Sequence, residues 1–402
     1  MYYNFLHYMR HWIIVILLLL ISGCRPSEIP VNLQKDLDSI SARWVPDKRE
    51  GISNFSLKKS LDGKLVLKGE TDLPGLKSEL ISCLSRSSVE YIDSMLILPD
   101  TIIIHKPWGL VSVGVCNIKG NPSHSSEMVS QAVMGTPVKI LKKRGGWLLI
   151  QTPDYYIGWA NDSGISEFSG KEIETWREAG RLIYTGKSGD ILSEIPGEAV
   201  VSDIVSGAIL VKTGETGNFY TTTLPDGRTG LVPKDVVADF NKWCSEVTPD
   251  AGKLILFSKT LVGYPYLWGG TSTKAIDCSG FVKTIYFMGG IILTRDASQQ
   301  FLHGSPVDIS VSYDSLIPGD LLYFGHKNPA GAVKITHTGM YIGNTEVIHS
   351  SGMVQISSLD STRKNYSSYL KGTIMGARRV IGEKPERGME PVRLHSWYND
   401  LK

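Results

Sequence analysis

Asp277-Cys278-Ser279-Gly280 places a thiol where a helix should begin, because Phe281, Val282, Ile285 and Tyr286 follow at helical spacing. Asp277 is then the expected N-cap, and Cys278 sits among the unpaired N–H groups of the first turn. Those groups and the positive end of the helix dipole favour a thiolate, so the thiol pKa is expected to be lowered toward neutrality. A thiolate attacking a carbonyl needs a base that later protonates the leaving amine, and histidine suits both tasks. His337 opens the strand-like run His337-Thr338-Gly339-Met340-Tyr341-Ile342-Gly343, and Glu346-Val347-Ile348-His349 returns from a turn. A three-residue loop from Gly343 to Thr345 sets His349 opposite Gly339, diagonal to His337 on the same face; a two-residue loop puts the pair on opposite faces. In the first register His349 can orient His337.

The rest of the chain narrows the chemistry. Forty-two basic against forty acidic residues among 402 give a net charge of +2, which argues against a nucleic-acid partner. Cys24, Cys83, Cys116, Cys244 and Cys278 form no CxxC and no regular spacing, so no disulfide framework, metal site or cofactor is expected. His303, His326 and His395 are read as surface or structural residues.

The expected fold class is α+β and multi-domain. Residues 1–24 read as a signal peptide, with Arg10, an apolar run from Trp12 to Ile21 that is too short for a bilayer span of roughly 20 residues, and Ser22-Gly23-Cys24. This resembles a bacterial lipoprotein lipobox, which implies lipidation at Cys24 and a membrane-anchored protein of the cell envelope facing the periplasm or outer surface. Residues 25–105 read as a tether and a small α/β cap, with a strand from Lys64 to Glu70, a helix from Leu73 to Leu84 and a strand from Tyr91 to Leu98. Residues 106–169 and 188–245 show short β-rich runs separated by turn residues, among them Gly146-Trp147, Gly197-Glu198-Ala199-Val200-Val201 and Gly230-Leu231. They resemble two divergent bacterial SH3-like barrels, joined by a helical linker over 170–187. Residues 246–382 hold the chemistry, after a helix-like stretch from Pro249 to Val262, and 383–402 read as a polar tail without chemistry.

Tyr264-Pro265-Tyr266-Leu267-Trp268-Gly269-Gly270, the Asp277-Cys278-Ser279-Gly280 helix start, Pro318-Gly319-Asp320-Leu321 and the His337/His349 pair occur in that order. Together they resemble the NlpC family of papain-fold cell-wall cysteine peptidases. The resemblance implies a Cys278, His337, His349 triad and an oxyanion held by Tyr266 and the Cys278 N–H.

Ser126-Glu127-Met128 and Tyr156-Ile157-Gly158-Trp159 in the first barrel resemble the YkfC-like γ-D-glutamyl-L-diamino-acid endopeptidases. That resemblance implies that Glu127, Tyr156 and Asp277 bind the free amine of an N-terminal L-alanine, since desolvated carboxylates demand a cation. Ser279, Trp268, Asp296 and Ser298 are expected to complete the substrate cleft, within the segment Arg295-Asp296-Ala297-Ser298 for the last two. The expected partners are peptidoglycan stem peptides and, through the lipid, a membrane. Two rivals stand beside this reading: a hydrolase of intact, cross-linked wall, and a non-catalytic wall-binding lipoprotein. Neither the diamino acid, lysine or diaminopimelate, nor the oligomeric state follows from the sequence.

Overall fold

The structure is a computed structural model that describes residues 31–87, 89–195 and 200–399. The proposed lipobox and Gly197-Glu198-Ala199 lie outside the described residues. The chain forms two compact units, one of residues up to Lys48 with Ile52–Ile97, the other of Arg49–Gly51 with residues from Leu98 onward.

The smaller unit follows the sequence pattern. Strand Ser53–Lys59 pairs antiparallel with Leu65–Thr71, which runs parallel to Tyr91–Ile97 through the crossover helix Pro74–Arg86. Leu76, Leu80 and Leu84, spaced at one helical face, are fully buried with Leu37 of helix Val31–Trp44 and Leu67 of the central strand. Cys83 belongs to this core, as an inert apolar residue would.

In the larger unit two seven-stranded sheets follow one another. The first runs from Trp108–Val111 to Ile165–Phe168, and the second from Arg181–Tyr184 to Val237–Asp239. Naming the strands of each sheet a to g in chain order, both have the spatial order g-a-d-e-f-b-c. An identical order in two consecutive segments is the structural counterpart of the repeat seen in the sequence. The expected linker is shorter than the sequence suggested: its helix covers Gly170–Glu178, stabilised by a Ser169/Glu172 capping box, and Arg181–Tyr184 is already strand a of the second sheet.

Beyond helices Phe240–Glu246 and Ala251–Lys259, a six-stranded antiparallel sheet forms, with Leu321–Lys327, Val333–Gly343, Glu346–Ser351 and Met353–Ser358 adjacent in that order. Helix Cys278–Met288 packs on it through Phe281, Val282, Ile285 and Tyr286, all fully buried with Met340 and Ile348. Each such side chain contributes about 1.5–3 kcal/mol by leaving water. A rigid, core-backed helix therefore carries Cys278 at its tip.

The C-terminal segment differs from the polar tail expected. Met389–Pro391 pairs with Ile291–Leu293, and Val392 and Tyr398 enter a core with Trp176, Ile183 and Phe240. His395, read as surface or structural, is buried and lies 3.0 Å from the Pro153 carbonyl oxygen. Two aromatic residues, Trp397 and Tyr398, anchor a stretch whose average composition hides them.

Candidate active site

Asp277 caps the Cys278–Met288 helix, with its backbone extended and its Oδ1 accepting the Gly280 N–H at 2.7 Å. The Cys278 sulfur is in turn reached by the backbone N–H groups of Ser279 and of Thr338, the residue after His337. Helix tip and histidine strand thus meet at the sulfur.

The electrostatics run opposite to the sequence expectation. Burial, with the Asp277 charge second, pushes the Cys278 thiol up to about 11, and the N–H groups of Thr338 and Ser279 offset only part of this. Desolvation penalises an anion more than one helix end rewards it. The histidines shift the other way. Burial first, and His349 second, push His337 down to about 3, while burial pushes His349 down to about 4. Both partners rest neutral at pH 7, so charge separates only when the thiol is used.

The hairpin joining the histidines has an unexpected turn and the useful register. Its loop is the two-residue Asn344-Thr345, with φ of 52° and 64°, between Gly343 and Glu346. By itself that loop would put the histidines on opposite faces, yet a bulge between Tyr341 and Gly343 shifts the register back, so that Met340 faces Ile348. Gly339 then faces His349, where a Cβ would stand 2.8 Å from that of His349, so only glycine admits the imidazole. His337 Nε2 lies 2.9 Å from His349 Nδ1, and His349 Nε2 lies 3.0 Å from Ser357 Oγ. For His337 Nδ1 to accept a thiol proton, its Nε2–H donates to His349, whose own Nε2–H donates to Ser357.

A cleft of about 480 Å³ opens at Cys278 and brings together Glu127, Tyr156, Tyr266, Trp268, Asp277, Ser279, Asp296 and Ser298. Its first-barrel wall is set by close backbone packing: at Gly269, φ +80°, a Cβ would lie 2.4 Å from the Met128 carbonyl oxygen. Thr271 N–H and Oγ1–H donate to Gln131 at 3.1 and 2.8 Å, and the exposed Trp268 donates its indole N–H to Glu127 at 2.7 Å. Tyr156 is buried, which raises its phenol pKa, with the Asp296 charge adding to the effect. Tyr266 is half-buried, and burial followed by the nearby Cys278 and Asp277 pushes its pKa to about 12, so it is a donor at working pH. His337 and His349 line a second hollow of about 440 Å³ with Gln355, Ser357 and Tyr366.

Asp277 was expected to demand a substrate cation, but its carboxylate already accepts from Gly280 and Gly269 N–H and from both terminal nitrogens of Arg295, at 3.2 and 2.5 Å. Burial opposes the Arg295 charge, and Asp277 outweighs it, so the guanidinium stays ionised and satisfies the acid. Ser279 is drawn into the same cluster, its Oγ accepting from Arg295 at 3.0 Å. Asp296 is likewise paired, with Arg49 Nη1 at 2.7 Å, and the same nitrogen reaches Ser298 Oγ at 3.2 Å. Arg49, Lys334 and Ser357 were not singled out in the sequence; Arg49 lies 247 residues from its partner, a separation that no local pattern bridges.

Comparison with known proteins agrees with this geometry. The NlpC/P60 family matches residues 263–379, and the bacterial dipeptidyl-peptidase SH3 domain matches 120–165. The chain is 30% identical over 271 residues to a gamma-D-glutamyl-L-lysine dipeptidyl-peptidase of Bacillus cereus, covering 64% of this chain and 77% of that protein. It is 27% identical over 281 residues to dipeptidyl-peptidase 6 of Lysinibacillus sphaericus, covering 66% and 96%. The crystal structure of an NlpC/P60 family protein from Bacillus cereus shares the fold, with a TM-score of 0.58 at 23% identity over 68% of this chain and 99% of that one. The chain belongs to the NlpC/P60 family of cysteine peptidases, with an SH3 domain ahead of the peptidase.

Proposed function

We propose that this enzyme hydrolyses the γ-D-glutamyl–diamino-acid bond of peptidoglycan stem peptides whose N-terminal L-alanine is free. Cys278 is the nucleophile and attacks the γ-carbonyl as His337 Nδ1 takes its proton. The oxyanion is held by the Cys278 N–H and the Tyr266 hydroxyl, and His337 returns the proton to the leaving amine. His349, backed by Ser357, orients His337 and stabilises its transient charge. Water then releases the acyl group by the same steps.

The observation that carries the substrate reading is Glu127. It is a cleft carboxylate held by Trp268 and without an ion-pair partner among the described residues, in the same cleft as buried Tyr156. An ammonium group supplies the missing charge, and an amidated alanine leaves it missing. The substrates named for the relatives, gamma-D-glutamyl-L-lysine peptides, fit the same bond. Asp277 holds Arg295 and the Gly269 backbone in place at the cleft. The protein is proposed to work at the cell envelope, lipid-anchored through Cys24, on the sequence pattern Ser22-Gly23-Cys24.

Mass spectrometry of digests tests the reading, using L-Ala-γ-D-Glu-diamino-acid peptide and the same stem still attached to muramic acid. Wild type is expected to cleave the free peptide at least tenfold faster; Cys278→Ala is expected to cleave neither. Product from Cys278→Ala would end the proposal, and equal cleavage of both substrates would favour a hydrolase of intact wall.

A further inference from the structure

Six charged side chains line the cleft: Arg49, Arg295 and Lys334 against Glu127, Asp277 and Asp296. Four of them cancel in pairs, Arg295 with Asp277 at 2.5 Å and Arg49 with Asp296 at 2.7 Å. The remainder is one acid, Glu127 on the first barrel, and one base, Lys334 on the strand that carries His337. Neither has an oppositely charged partner among the described residues. The cleft is thus neutral in sum and dipolar in what it offers a ligand.

The two uncompensated charges stand at different parts of the cleft wall. With the acyl half of the substrate held toward Glu127 and Tyr156, the leaving residue must lie by His337, which protonates its amine. Lys334 precedes His337 by three residues, roughly 10 Å along a strand at about 3.3 Å per residue. Ile335 and Thr336 line the wall between them. The Lys334 side chain is exposed and flexible, so its ammonium can reach atoms placed anywhere along that interval.

We propose that Lys334 is a specificity-determining residue that receives a carboxylate of the leaving diamino acid. The inference rests on the acyl-side reading above and adds the other half of the recognition. Two groups supply such a carboxylate: the side-chain carboxylate of diaminopimelate, and the free α-carboxylate of a diamino acid that ends the peptide. A lysine residue followed by another amino acid supplies neither.

Two peptide pairs separate these sources. The first pair is L-Ala-γ-D-Glu-meso-diaminopimelyl-D-Ala and L-Ala-γ-D-Glu-L-Lys-D-Ala, which differ in the side-chain carboxylate. The second is L-Ala-γ-D-Glu-L-Lys and its C-terminal amide. In at least one pair, wild type is expected to favour the carboxylate-bearing member roughly fivefold in kcat/KM, the size of a partly exposed ion pair. Lys334→Gln is expected to level that pair by lowering kcat/KM for the carboxylate-bearing member, and Lys334→Glu to invert it. The pair that responds identifies the source. Wild type cleaving all four peptides equally, or a preference that survives Lys334→Gln, overturns the role of Lys334 and leaves the endopeptidase reading standing. Cleavage of none of the four removes both.

Discussion

The two barrels share a strand order and differ in what one turn does. In the first, Thr152-Pro153-Asp154-Tyr155-Tyr156 joins strands e and f; in the second, Leu224-Pro225-Asp226-Gly227-Arg228 occupies the same place. Both turns close with the same bonds, from the first residue N–H to the fifth carbonyl and from the fourth N–H to the first carbonyl. The second acts as a brace: Asp226 pairs with Arg228 at 2.7 Å, and Arg228 donates to the carbonyls of Val201 in its own barrel and of Ser112 in the first. The first turns outward. Asp154 pairs with Lys283 of the nucleophile helix at 2.5 Å, Tyr155 donates to Glu390 at 2.5 Å, and Tyr156 lines the cleft.

The fourth position has positive φ in both, 89° at Gly227 and 66° at Tyr155. Glycine tolerates it freely, whereas a tyrosine there costs about 1–2 kcal/mol. The strain sits in the copy that builds the site, where the Glu390 bond and Arg387 over the Tyr155 ring at 3.9 Å hold it in place. One turn scaffold therefore serves as a brace in one barrel and as a piece of active site in the other.

Substitutions should separate the barrels sharply. Glu127→Ala in the first is expected to lower kcat/KM on the free-amine peptide about a hundredfold and to leave the amine-blocked peptide unchanged, checked by parallel progress curves. Tyr155→Gly, which copies the second turn into the first, is expected to lower kcat/KM five- to tenfold by loosening Tyr156. Its stability should move by less than about 1 kcal/mol, because relieved strain offsets the lost Glu390 bond. Arg228→Ala in the second barrel is expected to cost about 1 kcal/mol in denaturant unfolding and to leave kcat/KM within twofold. A large kinetic effect from Arg228→Ala would break the division of labour.

The peptidase domain adds a pH signature that neither turn has. His337 and His349, ordinarily near 6.5, are pushed by burial down to about 3 and about 4. Between those values and 6.5 the unfolded chain binds protons that the folded one refuses. Stability is therefore expected to be complete above about pH 6.5 and to fall as the pH drops toward 4, an effect that His349→Gln should diminish in urea titrations at several pH values.

What the sequence disclosed follows the reach of each interaction. The nucleophile helix and the histidine hairpin were legible because four- and two-residue periodicities are local. Of the two hairpin loops the sequence left open, the structure has the shorter one with the register of the longer, since the bulge before Gly343 shifts it. The thiol shift was misjudged because burial belongs to the assembled core, not to a helix end. Asp277 looked available for the same reason, its Arg295 partner being 18 residues on and brought back only by the fold. Arg181, whose buried guanidinium donates to the Tyr398 carbonyl at 2.7 Å, and the C-terminal aromatics were missed where polar neighbours masked a few anchoring residues.

Arg49 extends that point to the length of the polypeptide. Its carbonyl accepts the Ile157 N–H at 2.7 Å, and the neighbouring Glu50 side chain accepts from Gln299 at 2.7 Å, so three residues lying between a helix and a strand of the N-terminal unit are stitched into the cleft. A shortened enzyme beginning at the first barrel would keep every residue of the triad and lose this strip. Asp296 would retain Arg295 at 3.9 Å as a distant counter-charge, and a second hungry carboxylate would stand beside Tyr156. Such a trimmed form should accept more cationic peptides than its parent, which would make Arg49, ahead of the first barrel, a determinant of selectivity.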